Sequence, residues 1–222
     1  MFSPAGKVAG RDVRVEVGPV RLEGSLAVPP AALGIVLFAH GSGSSRHSPR
    51  NRYVAGVLQG GRLGTLLIDL LTADEERADL PKGHLRFDIG LLAGRVVGVA
   101  EWLSQEPETA RLRIGYFGAS TGGGAALMAA AERPELVGAV VSRGGRPDLA
   151  GSALRRVAAP TLLIVGGRDT PVVEMNERAL GEMRCEKTLA IVPGATHLFE
   201  EPGALEEVSR LSREWFEKHL KV

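Results

Sequence analysis

The sequence predicts one α/β domain over residues 1–222, with a mostly parallel sheet, an antiparallel N-terminal hairpin and helices on both faces. Three observations carry that prediction. Short, continuously apolar runs such as Gly34–Ala39 suit strands buried on both faces of a parallel sheet. Between them lie longer stretches whose apolar residues recur at helical spacing, as in Phe87–Leu103. No internal repeat, low-complexity stretch or linker interrupts the alternation. At 222 residues and 44% hydrophobic, the chain can bury one sizeable core and is short for two.

The elements follow in order. Residues 12–28 alternate as two strands, Val13, Val15 and Val17 against Val20 and Leu22, with Gly18-Pro19 as the turn. Leu26 and Val28 continue to Pro29-Pro30, which ends this edge hairpin. Gly34–Ala39 runs into a polar loop, residues 40–52, and Pro49 suits the first turn of a helix reaching Gln59. Thr65–Leu70 is the next buried strand, and the charged stretch from Leu71 to Gly83 reads as a loop. A helix is expected over Phe87–Leu103, since Ile89, Leu92, Val96, Val97, Ala100 and Leu103 share one dense apolar side. A strand to Phe117 and a small-residue helix over Gly123–Ala131 come next. Leu136–Ser142, Thr161–Val165 and Thr188–Val192 read as strands. A short helix or turn is expected at Leu154–Ala158, a helix at Val172–Met183, and an amphipathic closing helix over residues 203–220.

Charge and cysteine content narrow the function. With 27 basic against 26 acidic residues the net charge is +1, so no bulk field recruits nucleic acid or an anionic membrane. No run of 18 apolar residues occurs, and Met1–Arg14 has no apolar leader core. Cys185 is alone, which excludes an intrachain disulfide and reads as an incidental thiol. The expectation is a cytoplasmic protein. No histidine pair has metal-ligand spacing, so neither metal nor other cofactor is expected.

The chemistry concentrates in Gly118-Ala119-Ser120-Thr121-Gly122, a G-x-S-x-G pattern between an apolar strand and a helix. Such a turn forces the serine into a strained conformation and lifts its hydroxyl above the sheet end. The glycines allow strand and helix to approach closely, and the helix N-terminus offers unpaired N–H groups. A nucleotide-binding loop is the rival for glycines at this place. No Gly-Lys-Ser/Thr follows, and no G-x-G-x-x-G register fits residues 115–127.

A serine nucleophile needs a base, and the base needs an orienting acid. Two histidines follow Ser120. His219 falls near the end of the closing helix, where a charged residue ordinarily faces water, whereas His197 follows a strand in the loop Pro193-Gly194-Ala195-Thr196. Asp169 is the acid candidate, in a loop after Thr161–Val165, with Asp148 in reserve. All three residues lie just beyond carboxyl ends of parallel strands, hence on one sheet edge, and their order Ser…Asp…His suits such a fold.

On His40-Gly41-Ser42-Gly43, the Ser120 motif, Gly166-Gly167-Arg168-Asp169 and Gly194-Ala195-Thr196-His197, the chain resembles the α/β-hydrolase superfamily, especially the small enzymes without a large cap grouped with dienelactone hydrolases. The resemblance spans nearly the whole chain. It implies Ser120 as nucleophile, His197 as general base, Asp169 as its orienting acid, and the backbone N–H groups of Ser42 and Thr121 as oxyanion donors. Dienelactone hydrolase proper has cysteine as nucleophile. Serine here favours ordinary ester chemistry, a carboxylesterase acting on a small-molecule ester through an acyl-Ser120 intermediate. A lactone or thioester hydrolase, or a non-catalytic binding protein on the same fold, are the alternatives. The short connection between the strands at 136 and 161 leaves little room for a lid, so an open cleft is expected.

The loop after His40 carries Arg46, His47, Arg50 and Arg52. Arg46 or Arg50 could hold a substrate carboxylate, since guanidinium forks suit carboxylates. The competing expectation is that they brace the loop against Glu75 or Glu76.

Overall fold

The computed structural model describes residues 8–221, so the leader-free reading of residues 1–7 lies outside the described residues. Eight strands form one sheet: β1 (Arg11–Val17), β2 (Val20–Ala27), β3 (Gly34–Ala39), β4 (Leu63–Ile68), β5 (Ile114–Ala119), β6 (Val137–Arg143), β7 (Thr161–Gly166) and β8 (Lys187–Val192). Their spatial order is β1-β2-β4-β3-β5-β6-β7-β8. The hairpin β1–β2 joins β4 antiparallel, and every pairing from β4 to β8 is parallel. The α/β expectation, hairpin included, therefore holds.

Continuous apolarity in the central strands has a simple cause: both faces are covered. Ile35, Leu37 and Ala39 of β3 face one core, with Leu66 of β4 and Tyr116 of β5. Helices α3 (Ile89–Leu103) and α4 (Thr121–Glu132) cover that side through Leu92, Val96, Val99, Ala125 and Ala129. Val36 and Phe38 face the other core, where Phe38 stacks on Phe117 of the neighbouring strand with centroids 4.8 Å apart. Helices α1 (Pro49–Gly60) and α6 (Ala204–Leu220) close it with Val54, Leu58, Val208, Phe216 and Leu220. Removing a ring such as the fully buried Phe216 would cost about 3–5 kcal/mol. Among the described residues no helix is long and apolar enough to cross a membrane.

Two connections differ from their sequence-based expectation. The charged stretch after β4 holds a helix, α2 (Ala73–Asp79), in place of a loop. Thr72 Oγ1 accepts from Glu75 N–H at 3.1 Å and Glu75 Oε2 accepts from Thr72 N–H at 2.8 Å, a reciprocal capping box. Asp74, Glu75 and Glu76 fall in its first turn, where the helix dipole favours negative charge. Secondly, the segment before β7 holds two short 3₁₀ helices within Pro147–Arg156, separated by a kink at Gly151, more than the single short element expected at 154–158. Helix α5 (Thr170–Glu182) follows β7 as expected, and strand ends elsewhere shift by one or two residues.

Candidate active site

The edge formed by the carboxyl ends of β3 and β5–β8 gathers the sequence-predicted residues. Ser120 sits between β5 and α4 with φ 52° and ψ −122°, a backbone conformation costly for a residue with a Cβ. Neighbours over-determine it. Ser120 N–H donates to Arg143 O at 3.2 Å, while Ser120 O accepts from Gly123 N–H at 2.9 Å and Arg146 N–H at 3.0 Å. A Cβ on Gly122 would lie 2.2 Å from Ala39 O, and one on Gly118 would lie 2.5 Å from Gly122 O. Only glycine lets strand and helix cross so tightly, and the turn depends on that crossing.

Asp169 lies three residues beyond β7 and caps the start of α5; His197 lies in the loop after β8. Backbone bonds stitch the two loops together, Gly167 N–H to Val192 O at 2.9 Å and Arg168 N–H to Ala195 O at 2.9 Å. Across that seam His197 Nδ1 meets Asp169 Oδ2 at 2.6 Å. A carboxylate only accepts, so Nδ1 carries the proton and Nε2 is left with a free lone pair. The imidazole packs against the turn after β6, where a Cβ on Gly144 would lie 3.5 Å from His197 Cε1. Arg143, next in chain, is the residue whose carbonyl holds Ser120. The structure thus makes the Asp169–His197 contact and sets the imidazole against the Arg143–Gly144 turn that also holds Ser120, with no hydrogen bond between Ser120 and the imidazole. Such contacts commonly tighten only when substrate is bound.

The reserve candidates fall elsewhere. Asp148 is held bidentately by Arg146, at 2.8 and 2.7 Å. His219 does not face water as expected. Its side chain is buried against the Trp215 ring, centroids 4.5 Å apart, with Glu186 3.6 Å away, because the last turn of α6 packs inward through Phe216 and Leu220. Burial holds the His219 imidazole below its ordinary pKa, against the opposing pull of Glu186. Cys185 is half-buried 3.9 Å from Thr161 Oγ1, and burial pushes its thiol up, away from nucleophilic character.

Ser42 and Thr121 are joined, since Ser42 N–H donates to Thr121 Oγ1 at 2.8 Å. His40 braces the same loop. Leu70 N–H donates to His40 Nε2 at 3.0 Å, so the proton sits on Nδ1, which donates to Gly41 O at 2.9 Å. This fixes the start of the loop to the end of β4, and a Cβ on Gly41 would lie 3.1 Å from Ser120 Cβ.

Arg46 and Arg50 both pair, though not with Glu75 or Glu76. Arg46 binds Asp69 through its backbone N–H, at 2.6 Å, and its guanidinium. Arg50 pairs with Glu200 at 2.9 Å, beyond His197. Glu75 is taken by Arg95 at 2.8 Å, because the unforeseen α2 turns it toward α3. Beyond the loop opens a cavity of about 640 Å³, whose wall includes Ser42, Arg50, Leu70, Leu71, Leu80 and Leu92.

One residue at this edge gave no signal in the sequence. Arg143, at the end of β6, is 93% buried with no carboxylate partner. Its Nη2 reaches Asn51 Oδ1 at 3.3 Å, its Nε is unpartnered, and its guanidinium lies 5.7 Å from the Phe199 ring centroid. Burial, with Arg50 nearby, lowers its pKa to about 10. Phe199, two residues past His197, is itself fully buried at a left-handed φ of 55°. Among the described residues no cluster of three or more His, Cys, Asp or Glu side chains suits a metal ion.

Comparisons with known proteins place these features in a group. The dienelactone hydrolase family model matches residues 91–219. The crystal structure of a dienelactone hydrolase from Anabaena variabilis is 65% identical, covers 97% of this chain and 100% of its own, and superposes with a TM-score of 0.95. Est1E from Butyrivibrio proteoclasticus shares the fold at 16% identity, covering 95% of this chain and 98% of its own, with a TM-score of 0.78. A Mycobacterium tuberculosis protein named "Putative phosphoribosyl transferase" is 59% identical over 209 residues. That match covers 94% of this chain but 46% of the relative, so the chain spans about half the length of the curated relatives it matches.

Proposed function

The chain belongs to the dienelactone hydrolase family, and from that premise we propose that it is a serine hydrolase of small carboxylic esters, with Ser120, His197 and Asp169 as its working groups. The hydrolase character follows the family; the ester, the serine and the roles are our reading. The observation that carries it is the 2.6 Å contact of His197 Nδ1 with Asp169 at the same sheet edge as a strained Ser120.

In this reading His197 Nε2 takes the Ser120 proton as Oγ attacks the ester carbonyl. The imidazolium formed is stabilised by Asp169, which stays ionised, and then gives the proton to the departing alcohol. Water, deprotonated by the same nitrogen, releases the acyl group from Ser120. The oxyanion is received by Thr121 N–H and Ser42 N–H. Since Ser42 N–H is engaged by the Thr121 hydroxyl at 2.8 Å, the substrate oxygen must share or displace that acceptor. No cofactor enters the proposed chemistry. A cytoplasmic setting belongs to the same proposal and rests on the lone Cys185. The transferase name of the longer mycobacterial relatives is not carried over, because less than half of their length corresponds to this chain.

The test is hydrolysis of p-nitrophenyl acetate together with labelling by a fluorophosphonate probe. Wild-type protein takes label on Ser120, and Ser120→Ala loses label and, on the order of 10⁴- to 10⁶-fold, kcat. Activity of Ser120→Ala within tenfold of wild type would remove the proposal, and turnover without label would reassign the nucleophile.

A further inference from the structure

Resting on that reading, the geometry points to the 640 Å³ cavity as the acyl subsite, shaped for a neutral, apolar acyl chain longer than acetyl. Whatever alcohol departs must be protonated by His197, so the alcohol half of the ester lies on the imidazole side of Ser120. His197 and Asp169 come from loops after β8 and β7, on the β6 side of β5. The acyl half must leave the carbonyl in the other direction, toward β3 and β4. There the cavity opens, walled by Gly41 and Ser42 at its mouth and by Leu70 and Leu71 beyond the end of β4. Gly41 joins the two places, because it lines the cavity and lies against Ser120 Cβ.

The lining sets the chemistry of the occupant. Leu80, 71% exposed, offers apolar surface that a bound chain would cover, backed by the buried Leu70, Leu71 and Leu92, while serines and glycines of the loop after His40 line the rest. A volume of 640 Å³ is in the range that takes drug-sized ligands, far more than an acetyl group fills. The cations do not ask for an anionic chain. Arg50 already holds Glu200, Arg86 holds the buried Asp79 at 2.7 Å, and Arg46 of the same loop holds Asp69. Glu76, also on the wall, has no ion pair among the described residues and would repel an acyl carboxylate.

The experiment uses the purified protein and two ester series. One extends the acyl chain in p-nitrophenyl esters from acetate to octanoate; the other extends the alcohol in alkyl acetates from ethyl to octyl. The expected kcat/KM rises up to about fourfold per acyl methylene until the cavity fills, and stays nearly flat along the alcohol series. Leu80→Glu, at an exposed position that cannot unsettle the core, lowers the octanoate-to-acetate ratio about tenfold. Ile191→Ser, an exposed apolar residue on β8, keeps the wild-type ratio. p-Nitrophenyl pentanoate outpaces the monoanionic p-nitrophenyl glutarate by about tenfold or more. A flat acyl series, a Leu80→Glu effect confined to the alcohol series, or a preference for glutarate overturns the assignment. If acetate is hydrolysed and Ser120 labelled while the acyl series is flat, the acyl subsite alone fails. If neither occurs, the hydrolase reading falls and takes the subsite with it.

Discussion

Arg143→Met should leave the protein as stable as wild type, or more so, and yet slow it. The guanidinium is 93% buried without a carboxylate, and its pKa lies near 10 in place of 12.5, chiefly because burial disfavours the charge. A displacement of that size corresponds to about 3 kcal/mol against the charged form. At pH 7 the group is charged both folded and unfolded, so the penalty is fully present there and is relieved only as pH rises past 10. Against it stand a 3.3 Å bond to Asn51, worth about 1.5 kcal/mol, and the Phe199 face at 5.7 Å, worth about 0.5–1 kcal/mol. Methionine keeps the bulk and leaves no orphaned Nε. The net change is therefore about 0–1.5 kcal/mol in favour of the variant, or a Tm higher by up to about 5 °C in calorimetry. Activity should move the other way. The guanidinium covers the ring of Phe199, whose left-handed backbone shapes the turn after His197. Loosening that turn should lower kcat on p-nitrophenyl acetate about ten- to hundredfold with KM nearly unchanged. Arg143→Lys should not rescue it, since an ammonium lacks the flat face that covers the ring. A Tm drop beyond about 5 °C, or an unaltered kcat, would refute the reasoning.

Asp169→Asn should cost on the order of 10³- to 10⁴-fold in kcat by leaving the imidazole in the wrong tautomer and its cation unsupported. Asp148→Asn, whose carboxylate Arg146 already occupies, should stay within about threefold; the opposite ranking would move the acid to the turn after β6. His197→Ala should match the loss at Ser120, whereas His219→Ala should lower Tm through a gap beside Trp215 and spare kcat. The carboxyl of Asp79 is held below its ordinary range. Burial alone would raise it, and the guanidinium and N–H of Arg86 with the N–H of Leu85 outweigh that. A depressed carboxylate adds stability above its unfolded pKa of 3.8 and loses it as pH falls through the folded value. The Tm gap between wild type and Asp79→Asn should therefore be full at pH 7 and close below pH 4; a gap constant down to pH 3 would show that the charge is not what matters.

The layered fold was legible because its strongest signals are local and repeated. Strands such as Gly34–Ala39 are apolar at every position, since the even residues meet α1 and α6 while the odd ones meet α3 and α4. Helix α2 was missed for the opposite reason. Its seven residues include no periodic apolar face, and what makes it a helix is the Thr72–Glu75 cap and the dipole's preference for Asp74, Glu75 and Glu76. Read as composition, three acids in a row say loop; read as T-x-x-E, they say first turn. The inward turn of His219 was hidden because it depends on how α6 lies on the sheet, which spacing alone does not reveal.

At the site the division is similar. Backbone devices announce themselves, so Gly118 and Gly122 flanking Ser120 and the loops carrying Asp169 and His197 could be read directly, and the structure brings them to one edge. Charge partners do not, because pairing joins residues far apart in sequence. Arg50 and Glu200 are 150 positions apart and Arg46 and Asp69 are 23, so nearby Glu75 and Glu76 looked the natural partners. That mispairing bears on function. With Arg46 and Arg50 unclaimed, the loop reads as a carboxylate trap; with both paired to other carboxylates, the same loop becomes one wall of the cavity beyond Ser42. The buried arginine without a carboxylate is Arg143, behind His197, where it touches Phe199 and Asn51 and not the cavity. The Arg143 guanidinium thus lies beneath the histidine loop, where it can hold that loop's shape.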